Sequence, residues 1–424
     1  MKAVTVFLKF CIIGDMKIWI KYLLGIILGI VAFNVFPLAG INADDFAAQA
    51  AEFAVRFGRY TLLPVLFFGT ASAVYKIRSE KTVLKTALWT GASIILNSLI
   101  LAALGLISVL IVKLPRIPIT GEETTQVASI NLKDLLFRVF PFSGFDCVRD
   151  GVYLLPCFVF AGFAGAGCAS NQINSKPLAS FFESAASVSY SVMSFFIEWF
   201  SVGMIAVCWN RMILSKEALA DAAFLPIFIT LLVDFFIVTI IIYPLILRFL
   251  CNDTRPYNVI FASICPVLAA FFCEDSNLSL LVNLRHGRES LGIEQQTSDV
   301  TFPLFSIFAR GGSALVTSVC FVVILRSYSS LGFTVNDILW IFLSSFAVSF
   351  VLGAIPTGGT FVALTVLCSF YGRGFESSYL LLQKAFPILC SFSAAFDAVS
   401  AMFASYVAAV KTKTFNRIEL RHFI

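Results

Sequence analysis

Charge is scarce in this chain: only 13% of its 424 residues are Asp, Glu, Lys or Arg, whereas 59% are hydrophobic. A soluble domain carries about 25% charged residues. That shortage, with a mean hydropathy of +0.92, excludes a water-exposed globular surface and points to a polytopic membrane protein. The net charge of +5 is small and gathered in short loops, which fits membrane orientation rather than nucleic-acid binding. No GxxxxGK[ST] string occurs, so neither a nucleotide-binding loop nor ATP-driven transport is read here. The 11 cysteines lack CxxC spacing and sit mostly in apolar segments, as at Cys157, Cys168, Cys208, Cys265, Cys320 and Cys368. They read as small apolar filler, with no metal centre and no cofactor. Met1–Asp15 has Lys9 inside its apolar run and no small-residue cleavage site, so residues 1–17 are read as an N-terminal extension, not a signal peptide, with Met16 an alternative start.

What the chain does have is a series of apolar runs of roughly bilayer-crossing length. They cover Ile18–Phe36, Tyr60–Tyr75 preceded by the amphipathic Asp44–Arg59, Thr86–Val112, the glycine- and alanine-rich Tyr153–Ala169, Phe181–Cys208 and Phe224–Phe249. Lys76, Arg78, Lys81 and Lys85 follow the second run, and Lys411, Lys413, Arg417 and Arg421 follow the last. Basic loops stay cytoplasmic, so both termini are expected inside a plasma (inner) membrane. Pro115, Pro118, Gly121, Glu122 and Glu123 read as an outward-facing turn. Glu198 reads as a carboxylate satisfied by a neighbouring helix, with a direct transport role as the alternative.

Simple runs stop at Val259. Val259–Phe272 and Leu278–Leu284 flank the polar Cys273–Asn277 and lead into Arg285, His286, Gly287 and Arg288. Ile338–Leu352 and Phe361–Tyr371 flank Gly353–Thr360. Half-helix, polar tip, half-helix describes a re-entrant hairpin, and these two are expected to enter from opposite faces, the first inner and the second outer. His286 reads as a cytoplasmic-loop residue rather than a proton relay. Between the hairpins, Phe302–Leu325 is broken by Ala309, Arg310, Gly311, Gly312 and Ser313. A central arginine costs roughly 2.5–3.5 kcal/mol on insertion scales and glycines lower helix propensity, so this break faces protein or a wet cavity, not lipid. A last span, Leu380–Val410, carries Asp397. Two opposed interrupted segments mark a transporter site at the membrane midplane.

In this order of elements, and in the strings Tyr60–Phe67, Tyr243–Phe249 and Gly353–Thr360, the chain resembles the dicarboxylate/amino acid:cation symporters, the glutamate-transporter-like family, from about Met16 to Lys413. The resemblance implies an all-α fold of eight transmembrane helices and two opposed re-entrant hairpins, assembled as a homotrimer and working as an elevator. It implies that residues 18–257 are mainly scaffold, except for the third and sixth spans. Residues 258–411 would form the transport core and residues 412–424 a cytoplasmic tail. Where the family's broken span reads Asn-Met-Asp-Gly-Thr and helps to hold sodium, this chain reads Ala309, Arg310, Gly311, Gly312, Ser313. At the serine-rich inner tip Ser276 and Ser279 remain, but Glu274 and Asp275 are new. No arginine lies in the central part of the last span, so the family's acidic-substrate signature does not carry over.

The candidate substrate-binding residues are therefore Arg310, Asp397, Ser276, Ser279, Gly353, Pro356, Thr357, Gly358 and Gly359, with Glu274, Asp275 and Ser313 as coupling candidates. A buried arginine needs a partner, and Arg310 is expected to pair with Asp397 or with Glu274 and Asp275. That pairing is either purely structural or part of a site in which Arg310 acts as a built-in cation, with Na+ or H+ as the coupling ion. The expected function is secondary active transport of a small organic solute, an amino acid or a dicarboxylate. The alternatives are a transport-inactive relative serving as a membrane sensor or interaction protein, and an ion channel.

Overall fold

The computed structural model describes residues 16–38, 43–112, 114–118, 137–253, 255–328 and 334–424. Most of the N-terminal extension and the Gly121–Glu123 part of the outward-facing turn lie outside them. The regular structure of the described residues is all helical, with one isolated β-bridge between Ile293 and Phe415.

The first group of helices is α1 (Ile18–Leu38), α2 (Asp44–Arg59), α3 (Leu62–Ser79), α4 (Val83–Val112), the short α5 (Gly144–Arg149), α6 (Leu155–Ser170) and α7 (Gln172–Ala220). α2 buries Ala47, Ala51, Ala54 and Gly58, a stripe at helical spacing. Asp44 and Asp45 at its start and Arg56 and Arg59 at its end complement the helix dipole. α7 packs against α1, α2, α3 and α6. A Cβ on Gly25 or Gly29 would stand within 2.7 Å of α7 backbone oxygens, so these two glycines, one turn apart, let α1 lie directly on α7. With 49 residues, α7 is about 74 Å long at 1.5 Å per residue, far more than one crossing requires.

The second group starts with α8 (Leu225–Phe236), a π-helical stretch over Ile237–Ile242, and α9 (Tyr243–Leu250). Pro244 lacks the N–H an α-helix needs, and the widened turn just before it absorbs the mismatch. There follow α10 (Tyr257–Cys273), α11 (Ser276–Glu289), α12 (Gln295–Phe308), α13 (Gly311–Tyr328), α14 (Val335–Ser349), α15 (Gly359–Tyr371) and α16 (Phe386–Thr412). α10–α11 and α14–α15 are helical hairpins at the expected positions, and α12–α13 is broken at Ala309–Arg310. α16 packs against α4, α10, α12 and α13. The apolar windows of 295–328 and 378–412 are 94% buried inside the protein, against 33% for the first helix, so these two segments form the centre.

Among the described residues eight helices are long and apolar enough to cross a membrane, but they are not the eight that the sequence marks out. Leu155–Ser170 falls short, and Val335–Ala354, which holds the first arm of the second hairpin, is long enough. The last span also differs: Ser378–Ala385 is a 3-10 helix and the α-helix begins at Phe386, where Pro387 occupies a position that prolines favour. His286 is not in a loop; α11 continues to Glu289 and buries it, along with Arg285. The 412–424 segment is pinned to the rest of the chain. Glu294 N donates to Thr414 O (3.0 Å), Asn416 N donates to Gly292 O (2.8 Å), and Arg417 meets Asp253 at 2.5 Å, clipping the two feet of the inner hairpin together.

Candidate functional site

The centre of the molecule is the break between α12 and α13. An interrupted helix leaves carbonyls and amides without intrahelical partners, and here α16 supplies one. Asp397 accepts from Gly312 N at 2.7 Å and from the Ser313 hydroxyl at 3.1 Å, while Ser313 shares a hydrogen bond with Ser393 at 2.7 Å. A Cβ on Gly312 would stand 2.3 Å from the Phe396 Cβ, so only glycine lets α16 come close enough.

Arg310 is 4% exposed and Asp397 8%, and their closest N–O approach is 3.5 Å. The same guanidinium donates to the Ser276 Oγ at 2.5 Å and to the Ile355 carbonyl at 3.1 Å. Ser276 opens α11 and Ile355 lies between the arms of the other hairpin, so one side chain ties both hairpin tips to the broken helix and to α16. The tips also touch directly: Ser276 donates to the Pro356 carbonyl from its amide (3.1 Å) and its hydroxyl (3.3 Å). Ser279 and Ser306 both donate to the Ser276 carbonyl. The cavity bounded by Ser276, Ser279, Asn283, Ser306, Arg310 and Asp397 holds about 10 Å3, room for one water and not for a solute.

Of the expected residues, Arg310, Asp397, Ser276, Ser279, Pro356 and Ser313 come together. The alternative pairing of Arg310 with Glu274 and Asp275 is not adopted. Both carboxylates point away from it, Glu274 to Arg211 of α7 at 2.8 Å and Asp275 to Arg59 of α2 at 3.0 Å. Thr357 is exposed and takes no part in this cluster. Gly353 is a packing residue, since a Cβ there would meet the Ile307 carbonyl at 2.1 Å. Gly358 has φ +68 with open space around its Cβ position and caps α15, whose Gly359 lies nearer to Ser313. Glu198 is held by Lys21 at 2.5 Å and Arg285 at 3.6 Å, a carboxylate satisfied by neighbouring helices.

Arg59, Arg211, Ser393, Asn283 and Ser306 escape the sequence reading. For Arg211 a signal exists: it stands inside a long apolar helix, where an ionisable residue implies a partner.

Among the described residues, then, a guanidinium and a carboxylate meet at a helix break between two hairpin tips, inside eight helices of membrane-crossing length. The protein is an integral membrane protein. A model of the sodium:dicarboxylate symporter family matches residues 16–411, nearly the whole chain. The chain belongs to the sodium:dicarboxylate symporter family.

Proposed function

We propose that this chain is a secondary active transporter of a small organic solute, an amino acid or a dicarboxylate, in which Arg310 takes the place of a coupling sodium ion. The observation that carries this is the guanidinium itself, bonded to both hairpin tips and paired with Asp397. A sodium ion brought to the same point would be repelled by the fixed charge, and the Asp397 oxygens already accept from Gly312 and Ser313 and face the Arg310 guanidinium. The arginine thus does what a bound cation would do: it neutralises a buried carboxylate and draws the tips closed.

The outer hairpin is the gate in this reading. When its tip lifts, the Ile355 carbonyl leaves and Arg310 regains free N–H donors, which suit a solute carboxylate. The hairpins re-enter from opposite faces and travel with α4, α8, α9, α12, α13 and α16 as an elevator. The elevator slides against α1–α3, α6 and α7 in a homotrimer of the plasma membrane, with both termini inside. The packing partners of α7 and of α16 support that division.

The test is uptake by purified protein in proteoliposomes, with sodium and proton gradients imposed separately and amino acids and dicarboxylates as candidate solutes. Accumulation above equilibrium without sodium is the expected result. The closed, water-sized cavity favours a second reading, a transport-inactive sensor. It predicts that a solute raises the melting temperature and is never accumulated.

A further inference from the structure

Two arginines outside the central cluster converge on the turn of the inner hairpin. Arg59 ends α2 and Arg211 lies on α7, whereas Glu274 and Asp275 are consecutive residues of one turn. Each carboxylate has a local task. Glu274 takes the left-handed conformation that ends α10 (φ 52). Asp275 caps α11 by accepting from Asn277 N at 2.9 Å and Leu278 N at 3.3 Å through its Oδ1. That leaves the Asp275 Oδ2 for Arg59 at 3.0 Å, with the carboxylate side chain fully buried.

The arginines also hold backbone. Arg59 donates to the Gly151 carbonyl at 2.6 Å, which the Asn277 amide group reaches as well (3.1 Å), along with the Val152 carbonyl (3.0 Å). Arg211 donates to the Phe272 carbonyl at 3.2 Å, in the last turn of α10, where a cation complements the helix dipole. The inner tip is therefore gripped from α2, from the segment before α6 and from α7. Lower down, α11 touches α7 through Arg285 with the Ser194 carbonyl (2.6 Å) and Tyr190 with Glu289 (2.8 Å).

We infer that Arg59 and Arg211 are positioning residues: through Asp275 and Glu274 they latch the inner hairpin to the stationary helices and set which position the moving part occupies. This rests on the elevator reading, in which α2 and α7 stay while α10 and α11 travel. A slide of the hairpin must separate both ion pairs. Because Asp275 is fully buried and the other three side chains are at most 22% exposed, their separation is costly unless new partners are met, so the latch biases the protein toward the position seen here.

The experiment is a distance measurement by pulsed electron spin resonance on full-length protein in nanodiscs. One label stands at Val188 on α7 and one at Phe370 on α15, both largely exposed. They are attached through azide-bearing amino acids so that native cysteines stay unlabelled. Wild type should show one dominant distance. Arg59→Gln and Arg211→Gln should raise the ratio of a second distance to the first by about tenfold, and Arg59→Lys and Arg211→Lys, which keep the charge, should return most of the wild-type distribution. Should the glutamine variants fail to fold, Asp275→Asn and Glu274→Gln keep the cap and the turn and should give the same shift. Folded variants with the wild-type distribution, while wild type still reaches a second distance on adding aspartate or succinate, would overturn the latch and leave the elevator standing. No second distance under any condition would overturn both.

Discussion

The two hairpins share a plan and differ in how their tips are held. The inner tip carries two carboxylates, each paired with an arginine from another helix, and its second arm starts with the Asp275 side-chain cap. The outer tip carries no charge from Leu352 to Thr360, and its second arm starts at Gly358 with no side-chain cap. What holds it closed is a set of hydrogen bonds to two of its carbonyls, from Arg310 to Ile355 and from Ser276 to Pro356. Separating two largely buried ion pairs costs more than exchanging a few hydrogen bonds with water. In the proposed mechanism the outer tip is therefore the part that opens, and the inner tip the part it closes on.

Hydrogen exchange should expose this contrast most strongly: amides of 357–360 should exchange faster than those of 276–280 by about tenfold or more, and equal protection would break the comparison. Next in size is Arg310→Ala. It strands the buried Asp397 carboxylate and should cost about 3–5 kcal/mol, read as a large fall in melting temperature. Arg310→Met with Asp397→Asn together should cost less than Arg310→Ala, because no buried charge is then left unpaired.

Gly353→Ala drives a Cβ toward the Ile307 carbonyl and should cost about 1–3 kcal/mol through overpacking, loosening the outer hairpin against α12. Gly358→Ala meets no atoms but keeps a left-handed residue (φ +68), a strain of about 1–2 kcal/mol, and should shift the tip toward open. Thr357→Ala, at an exposed position, should stay within about 0.5 kcal/mol of wild type. A large effect there would place a contact at the outer tip that the closed state lacks.

Much of this was legible in the sequence. An arginine beside two glycines in an apolar run demands a buried partner, and Asp397 is the one carboxylate in the last span. Half-length apolar runs around Cys273–Asn277 and Gly353–Thr360 marked both hairpins. The partners of Glu274 and Asp275 were not legible, because Arg59 and Arg211 are brought to them by tertiary packing and not by any local period. Nor could periodicity separate the 3-10 start at Ser378 from the α-helix that follows, since both are apolar. His286 reads as a loop residue because basic neighbours usually mean a loop; here Arg285 is met by Glu198 of α7 and Arg288 by Asp299 of α12.

The central claim is that Arg310 stands in for a metal ion, and the solute affinity of purified wild-type protein, measured with and without sodium at fixed ionic strength, tests it most directly. The dissociation constant should be unchanged within about twofold, since an ion without differential affinity shifts nothing. A tightening by sodium in the roughly 5–150-fold range of coupled ligands would contradict it.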